Sequence, residues 1–402
     1  MGVLGGHAKH ASKNQYKDGT KRGSHAPIFS SRPCFGLQPK VESRRSKLFH
    51  MASAANLYAH SLRAELAARS RDWARGRAYV ESYGDDPVIV FSPEQDRHPN
   101  FFDASYAAML AQPAWLRRLD KVHTGRKSLP QPLEPGRRWR ELDSSMSSDA
   151  LLMNIFCAPE VVESKPLKEL LGVDGDEGPE FGWKARVPLK NGRFDRTEVD
   201  MRWGGLLVEA KLTEADFQTK DAEAMEAYRD FEAVYDPEEL PRVELRAARK
   251  GQPAEFAEAY TQEWEAQGDE EAARDFQAAL VERNWLEQPA RCGFAGYQLI
   301  RNVLAAHATG ASFCVLHDAR RPDLREAWYT VMAAVRPAAL RTRLKVLTWQ
   351  ELAEVLPGPL QAFLRLKYGI RAPQEGDAGV DVDTEDKRNE RTRAEGIRLS
   401  AN

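Results

Sequence analysis

At 402 residues the chain is long enough for two or three ordinary domains, or for one large domain with extensions. Hydrophobic residues at 42% and charged residues at 29% exclude collagen-like, fully disordered and membrane-spanning chains, and no apolar run approaches the ~18 residues that cross a bilayer. The formal charge of -2 hides an asymmetry: residues 1–50 hold ten Lys and Arg against two Asp and Glu, so the remainder is net acidic.

Taken in chain order, the first fifty residues have no sustained period and read as a basic, disordered head. They lack the continuous apolar stretch of a secretory signal, which points to a cytoplasmic protein with no membrane partner. A helical period opens at Met51 with Ala54, Leu57, Leu62 and Leu66. Residues 51–143 read as the helical and basic first part of a single domain whose core runs over 144–371, and residues 372–402 read as a disordered tail. Between Trp115 and Arg140, Arg117, Arg118 and Lys121 stand among tryptophans. That pattern can contact phosphates and stack on bases, although a solvated face gives the same composition.

A helix is expected over Ser144–Cys157, capped by Ser147 or Ser148, and a plain surface turn at 171–178. Three strand-like runs follow, Phe181–Leu189, Arg196–Trp203 and Leu206–Leu212, separated by Asn191-Gly192 and Gly204-Gly205. Acidic helices are expected near 214–235, 254–267 and 269–284, and then a helix over Tyr297–Ala308. A strand over Ala311–His317, a helix over Asp323–Val335 capped by Asp323, a strand over Leu344–Trp349 and closing helices complete the chain. Cys34, Cys157, Cys292 and Cys314 are widely spaced, which excludes a zinc finger and predicts reduced thiols.

The stretch Glu198-Val-Asp-Met-Arg-Trp-Gly-Gly-Leu-Leu-Val-Glu-Ala-Lys211 carries the chemistry. A tight turn at Gly204-Gly205 places Trp203 opposite Leu206, Met201 opposite Val208, Asp200 opposite Glu209 and Glu198 opposite Lys211. Val199, Met201, Trp203, Leu206, Val208 and Ala210 then share an apolar face, and the four charged residues share the other, which should meet solvent. Asp200 facing Glu209 is unfavourable unless a cation lies between them. Mg²⁺ takes hard oxygen ligands and uses one or two carboxylates. A surface hairpin with Glu198 and Lys211 as a simple ion pair is the competing explanation.

Asp200 followed across a hairpin by Glu209-Ala-Lys211 resembles the signature of the PD-(D/E)XK nucleases, with Val199 where the name-giving proline would stand. The resemblance implies an α/β, restriction-endonuclease-like core of helix, three-stranded antiparallel meander, helix and further strand, here with helical insertions. It also implies that Asp200, Glu209 and the Ala210 backbone carbonyl bind Mg²⁺, for which Mn²⁺ can substitute, while Lys211 assists the attacking water. Glu198 is a further candidate ligand, as is one of Asp149, Glu160 or Glu163 on the preceding helix, of which Asp149 is preferred. A polar helix facing the site is a family feature that Gln298 and Arg301 match, Gln298 in the catalytic shell and Arg301 on a phosphate. From Tyr297 through Phe313-Cys-Val-Leu-His-Asp-Ala-Arg-Arg321 the chain is similar to a bacterial restriction-endonuclease-like subgroup, over about 90–370. The expected activity is metal-dependent hydrolysis of DNA, with a catalytically silent nucleic-acid-binding or scaffold protein of the same fold as the alternative. Oligomeric state is left open, a homodimer included.

Overall fold

The computed structural model describes residues 40–82, 87–122, 129–130, 138–196, 198–245 and 291–373. Helix α1 (Lys40–Ala74) leads into the hairpin of β1 (Tyr79–Glu81) and β2 (Ile89–Phe91), followed by α2 (Asp103–Ala111) and α3 (Pro113–Leu119). Next come α4 (Ser148–Phe156), α5 (Pro159–Val162), α6 (Lys165–Leu171), β3 (Glu180–Lys184), the small pair β4 (Val187–Pro188) and β5 (Phe194–Asp195), β6 (Glu198–Trp203) and β7 (Leu206–Ala210). A second sheet is made by β8 (Thr219–Asp221), β9 (Arg242–Leu245) and β10 (Arg291–Ala295), with α7 (Ala222–Glu226) and α8 (Phe231–Val234) between β8 and β9. The closing elements are α9 (Tyr297–Thr309), β11 (Ser312–His317), α10 (Pro322–Ala333), α11 (Ala338–Arg341), β12 (Leu344–Thr348), α12 (Trp349–Ala353) and α13 (Gly358–Tyr368). No described helix is long and apolar enough to cross a membrane.

The main sheet has the order β12-β11-β7-β6-β3. β3, β6 and β7 pair antiparallel in succession, and β11 and β12 add in parallel on the far side of β7. The hairpin turns at Gly204, whose φ of 55° suits a residue without a Cβ, and its register is Trp203 with Leu206 and Met201 with Val208, as the turn predicts.

Helices cover both faces of this sheet. On one, Met201, Trp203, Leu206, Val208, Ala210, Cys314 and Leu316 pack with Leu151, Leu152, Ile155 and Phe156 of α4 and with Trp349 and Leu352 of α12. On the other, Leu207, Phe313 and Val315 pack with Leu299, Ile300, Val303 and Leu304 of α9 and Trp328 of α10. The expectation of a solvent-facing charged side is therefore corrected: every residue of β7 is buried. A strand that reads apolar, charged, apolar looks half-exposed by period alone, but helices from distant parts of the chain cover its second face.

The face assignment of Val199 is also corrected. Phe181 and Met201 pack on the first cluster, whereas their i+2 and i−2 neighbours Trp183 and Val199 pack on the second. Period-two alternation would keep each pair on one side. The crossing occurs at Gly182, whose left-handed φ of 64° kinks β3, and the β6–β7 ladder ends at Met201, just short of Asp200.

Ser147 caps α4 by accepting the Ala150 N–H, and Gly310, in the left-handed conformation, ends α9. The expected helix over 214–235 is replaced by β8 and the short α7 and α8. Gln218 has a left-handed φ of 62°, and Asp221 starts a new helix by accepting the Glu223 N–H. Asp323 is in the first turn of α10 and does not cap it, because Pro322 opens the helix and Arg321 takes the cap position. In α1, Leu62 and Leu66 are buried but Leu57 is exposed. Cys157 and Cys314 are buried free thiols, in keeping with the expectation of reduced cysteines. The described residues from Arg44 onward belong to one compact unit. Of the head expected over residues 1–50, residues 40–50 are helical as the start of α1; its residues 1–39, the helices at 254–267 and 269–284 and residues 374–402 of the tail expected over 372–402 lie outside the described residues.

A Cβ at Gly182 would lie 2.5 Å from Arg118 Nη1 and 2.7 Å from Glu198 Oε2. Gly182→Ala should cost about 1–3 kcal/mol through backbone strain and this clash. Urea unfolding measures it, and a loss below about 0.5 kcal/mol would contradict a tightly filled kink.

Candidate functional site

Beyond Met201 and Val208 the hairpin strands part, and the Asp200 carboxylate fills the gap. Its Oδ2 accepts the Ala210 N–H at 2.7 Å, a bond that a β6 carbonyl would accept if the ladder continued. Glu209 points into the helix-covered second face and is 1% exposed. Lys211 Nζ donates to its Oε1 at 2.8 Å, and Asn302 Nδ2 from α9 donates to its Oε2 at 2.7 Å. Lys211 also lies over the Phe217 ring at 5.5 Å, and its own N–H donates to the Leu316 carbonyl, fixing the end of β7 against β11.

Sequence register paired Lys211 with Glu198 across the hairpin; the structure pairs it with Glu209 on its own strand. Glu198 is half-buried and bound instead to Arg118 Nη1 at 2.6 Å. Asp149 is the buried carboxylate on α4, whereas Glu160 and Glu163 are exposed. Its Oδ2 accepts from Arg118 Nη2 at 2.6 Å and Lys121 Nζ at 3.2 Å.

Two of the three basic residues read as a nucleic-acid surface thus face inward, Arg118 bridging Asp149 and Glu198 and Lys121 bridging Asp149 and Glu141, while Arg117 is exposed. Composition could not separate a basic surface from internal counter-ions. Trp115 donates its Nε1 to the Pro179 carbonyl and packs on Phe181. Arg301 is buried and donates through Nη2 to the Glu198 carbonyl at 2.6 Å, which braces β6.

Sequence reasoning missed Asn302. Its signal was available: it lies four residues after Gln298, hence on the same helix face, and it is polar within an apolar run. The amide oxygens of both residues, Gln298 Oε1 and Asn302 Oδ1, are buried without a hydrogen-bond partner among the described residues. Glu214 was missed as well; it accepts from Ser148 Oγ and from the Leu212 N–H and adds its charge near Lys211.

The electrostatics follow from this crowding. Burial, then the Glu209 and Asp149 charges, push the Asp200 carboxyl well above the usual carboxylate range, against the opposing pull of Lys211 and the Ala210 N–H. For Lys211, burial favours the neutral amine, but Glu209, Glu214 and Asp200 outweigh it and raise its pKa. These carboxylates thus favour the charged form of Lys211. Among the described residues no three His, Cys, Asp or Glu side chains converge closely enough to hold a metal ion. Asp200 and Glu209 nonetheless provide the one or two carboxylates that Mg²⁺ uses, and the unpartnered Oδ1 of Asn302, whose amide holds Glu209, is a hard donor of the same kind, so the chemistry of these donors fits a hard divalent cation. A cavity of about 520 Å³ lies near this strand end, lined by His60, Arg63, Ser144, Met146 and Thr213 among others, with Arg63 Nε donating to the Thr213 carbonyl.

Two stability outcomes follow. Lys211→Ala leaves Glu209 buried beside Asn302 alone and should cost about 3–5 kcal/mol, most of it recovered when Glu209→Gln is added; a loss under about 0.5 kcal/mol in chemical denaturation would mean these charges face water. Asp200 has a folded pKa above its unfolded one, so its contribution to stability is full below about pH 3.9 and is lost as pH rises through the folded value. Asp200→Asn removes that loss. Metal-free Asp200→Asn should be at least as stable as wild type at pH 7, and a clearly lower melting temperature there would contradict the crowding.

Residues 67–369 match the protein family described as restriction endonuclease associating with ARP. No curated protein and no solved structure gives a significant match to the chain.

Proposed function

This chain belongs to that restriction endonuclease family, and from that premise we propose that it is a nuclease hydrolysing phosphodiester bonds in DNA with Mg²⁺, or Mn²⁺ in its place. The order α4, β3-β6-β7, α9, β11 is read as the restriction-endonuclease-like core, with β12 and the second sheet as additions. The reading is carried by one observation: Asp200, Glu209 and the buried cation Lys211 meet where β6 and β7 part. The family description names an association with ARP, which makes ARP the partner to look for.

In this reading Asp200, Glu209 and the Ala210 carbonyl hold the ion, and Gln298 and Asn302 offer amide oxygens around it. Bound there, the ion would supply Lewis acidity toward water and the phosphate oxygens. Lys211, held as the cation by the carboxylates beside it, assists through its charge and N–H donors, which favour the phosphate oxygens as negative charge grows on them. Asn302 Nδ2 keeps the Glu209 carboxylate in one orientation, and the Ala210 N–H does the same for Asp200. Exposed Arg117 and the cavity bearing His60 and Arg63 are basic features near the site that this reading offers to the DNA backbone.

Supercoiled and linear DNA incubated with purified protein and Mg²⁺, Mn²⁺ or EDTA tests this. Cleavage should require the metal and fall about a hundredfold or more in Asp200→Asn. Metal-independent cleavage, or equal cleavage by Asp200→Asn from matched preparations, would overturn the assignment.

A further inference from the structure

We propose that Arg118 is a built-in competitor cation: its guanidinium neutralises Asp149 and Glu198 beside Asp200 in the metal-free protein and thereby sets the divalent-cation concentration at which the site fills. This rests on the metal-site reading of Asp200 and Glu209 and adds a residue that reading does not use.

Three observations carry it. Arg118 is not a surface residue: its side chain is 9% exposed, and it reaches two carboxylates on different elements, Asp149 of α4 and Glu198 of β6, each at 2.6 Å. A planar guanidinium holds its N–H donors in a fixed fork, which suits it to bridge two carboxylates on different elements. The backbone makes room for it, because Gly182 places no Cβ where Nη1 of Arg118 and Oε2 of Glu198 meet. The arrangement also acts beyond its two partners. Asp200 lies close enough for its charge to be felt at Arg118, while Lys121 adds a second cation on the same Asp149 oxygen. Asp149, the third carboxylate of the cluster, is thus committed to basic side chains.

A divalent ion held by Asp200 and Glu209 places two positive charges beside a guanidinium that α3 holds in place through Trp115 and the buried Leu119. Either Arg118 stays and repels the ion, or its side chain leaves Asp149; both weaken binding by an amount set by charge. A clasp that merely fastened α3 to the core would show no such dependence on charge.

Manganese binding by the full chain, measured by calorimetric titration with Mn²⁺, separates these cases. Arg118→Gln, which removes the charge, should bind Mn²⁺ about tenfold tighter or more than wild type, from the loss of one near unit charge at intermediate dielectric. Arg118→Lys, which keeps the charge but loses the fork, should stay within about threefold of wild type. Equal affinity in all three proteins, or weaker binding by Arg118→Gln, would overturn the proposal while leaving the metal site standing. No Mn²⁺ binding by wild type would overturn the metal-site reading and this inference with it. Should Arg118→Gln fail to fold, Lys121→Gln reads the same competition at a more exposed position: tighter binding supports it and unchanged affinity overturns it.

Discussion

The burial of Glu209 is the constraint on which the rest depends. A carboxylate on the middle strand of a sheet, under a helix, is costly unless its charge is met at once. Both of its oxygens are met, one by Lys211 from the same strand and one by Asn302 from α9. Those bonds tie the end of β7 to the helix that covers it, so the apolar packing of Leu299, Ile300 and Val303 and the polar contact below them require one another. Replacing the group by an apolar side chain of similar size would relieve the electrostatic cost. Its presence in an otherwise apolar layer is what the proposed metal site accounts for.

Around that centre, charge is arranged in two compartments. Lys211 serves Glu209, with Glu214 nearby; Arg118 and Lys121 serve Asp149 and Glu198. Asp200 lies between them, bonded among the described residues only to a backbone N–H, and bears the electrostatic strain of both. The kink at Gly182 and the early end of the β6–β7 ladder make this arrangement possible, because a continuous ladder would use the Ala210 N–H and place Asp200 squarely across from Glu209. Fold and candidate site are thus linked through a few residues of backbone: the strands separate where the carboxylates gather.

Much of the centre was legible in the sequence because turn chemistry and alternation are local. Gly204-Gly205 fixed the register of Met201 with Val208 and Trp203 with Leu206, and Ser147 was readable as a cap. What failed was non-local. Nothing in Glu209-Ala-Lys211 announces that α9 and α10 will cover it, so the charged residues were expected in water. The inward turn of Arg118 and Lys121 depends on α3 packing beside β3, a contact between segments about sixty residues apart. The left-handed Gly182 redirects Val199, and no period-two count anticipates that. Asn302 was recoverable from helical spacing, but only once Gln298 had been placed on the inner face.

The most direct test of the central claim, that Asp200 and Glu209 together bind a divalent cation, is the stoichiometry of Mn²⁺ bound at equilibrium, followed by electron paramagnetic resonance of free Mn²⁺. Wild type should take up one ion per chain, and Asp200→Asn and Glu209→Gln should each lose that uptake while retaining a cooperative melt. Undiminished uptake in both variants, or none in wild type, would contradict it.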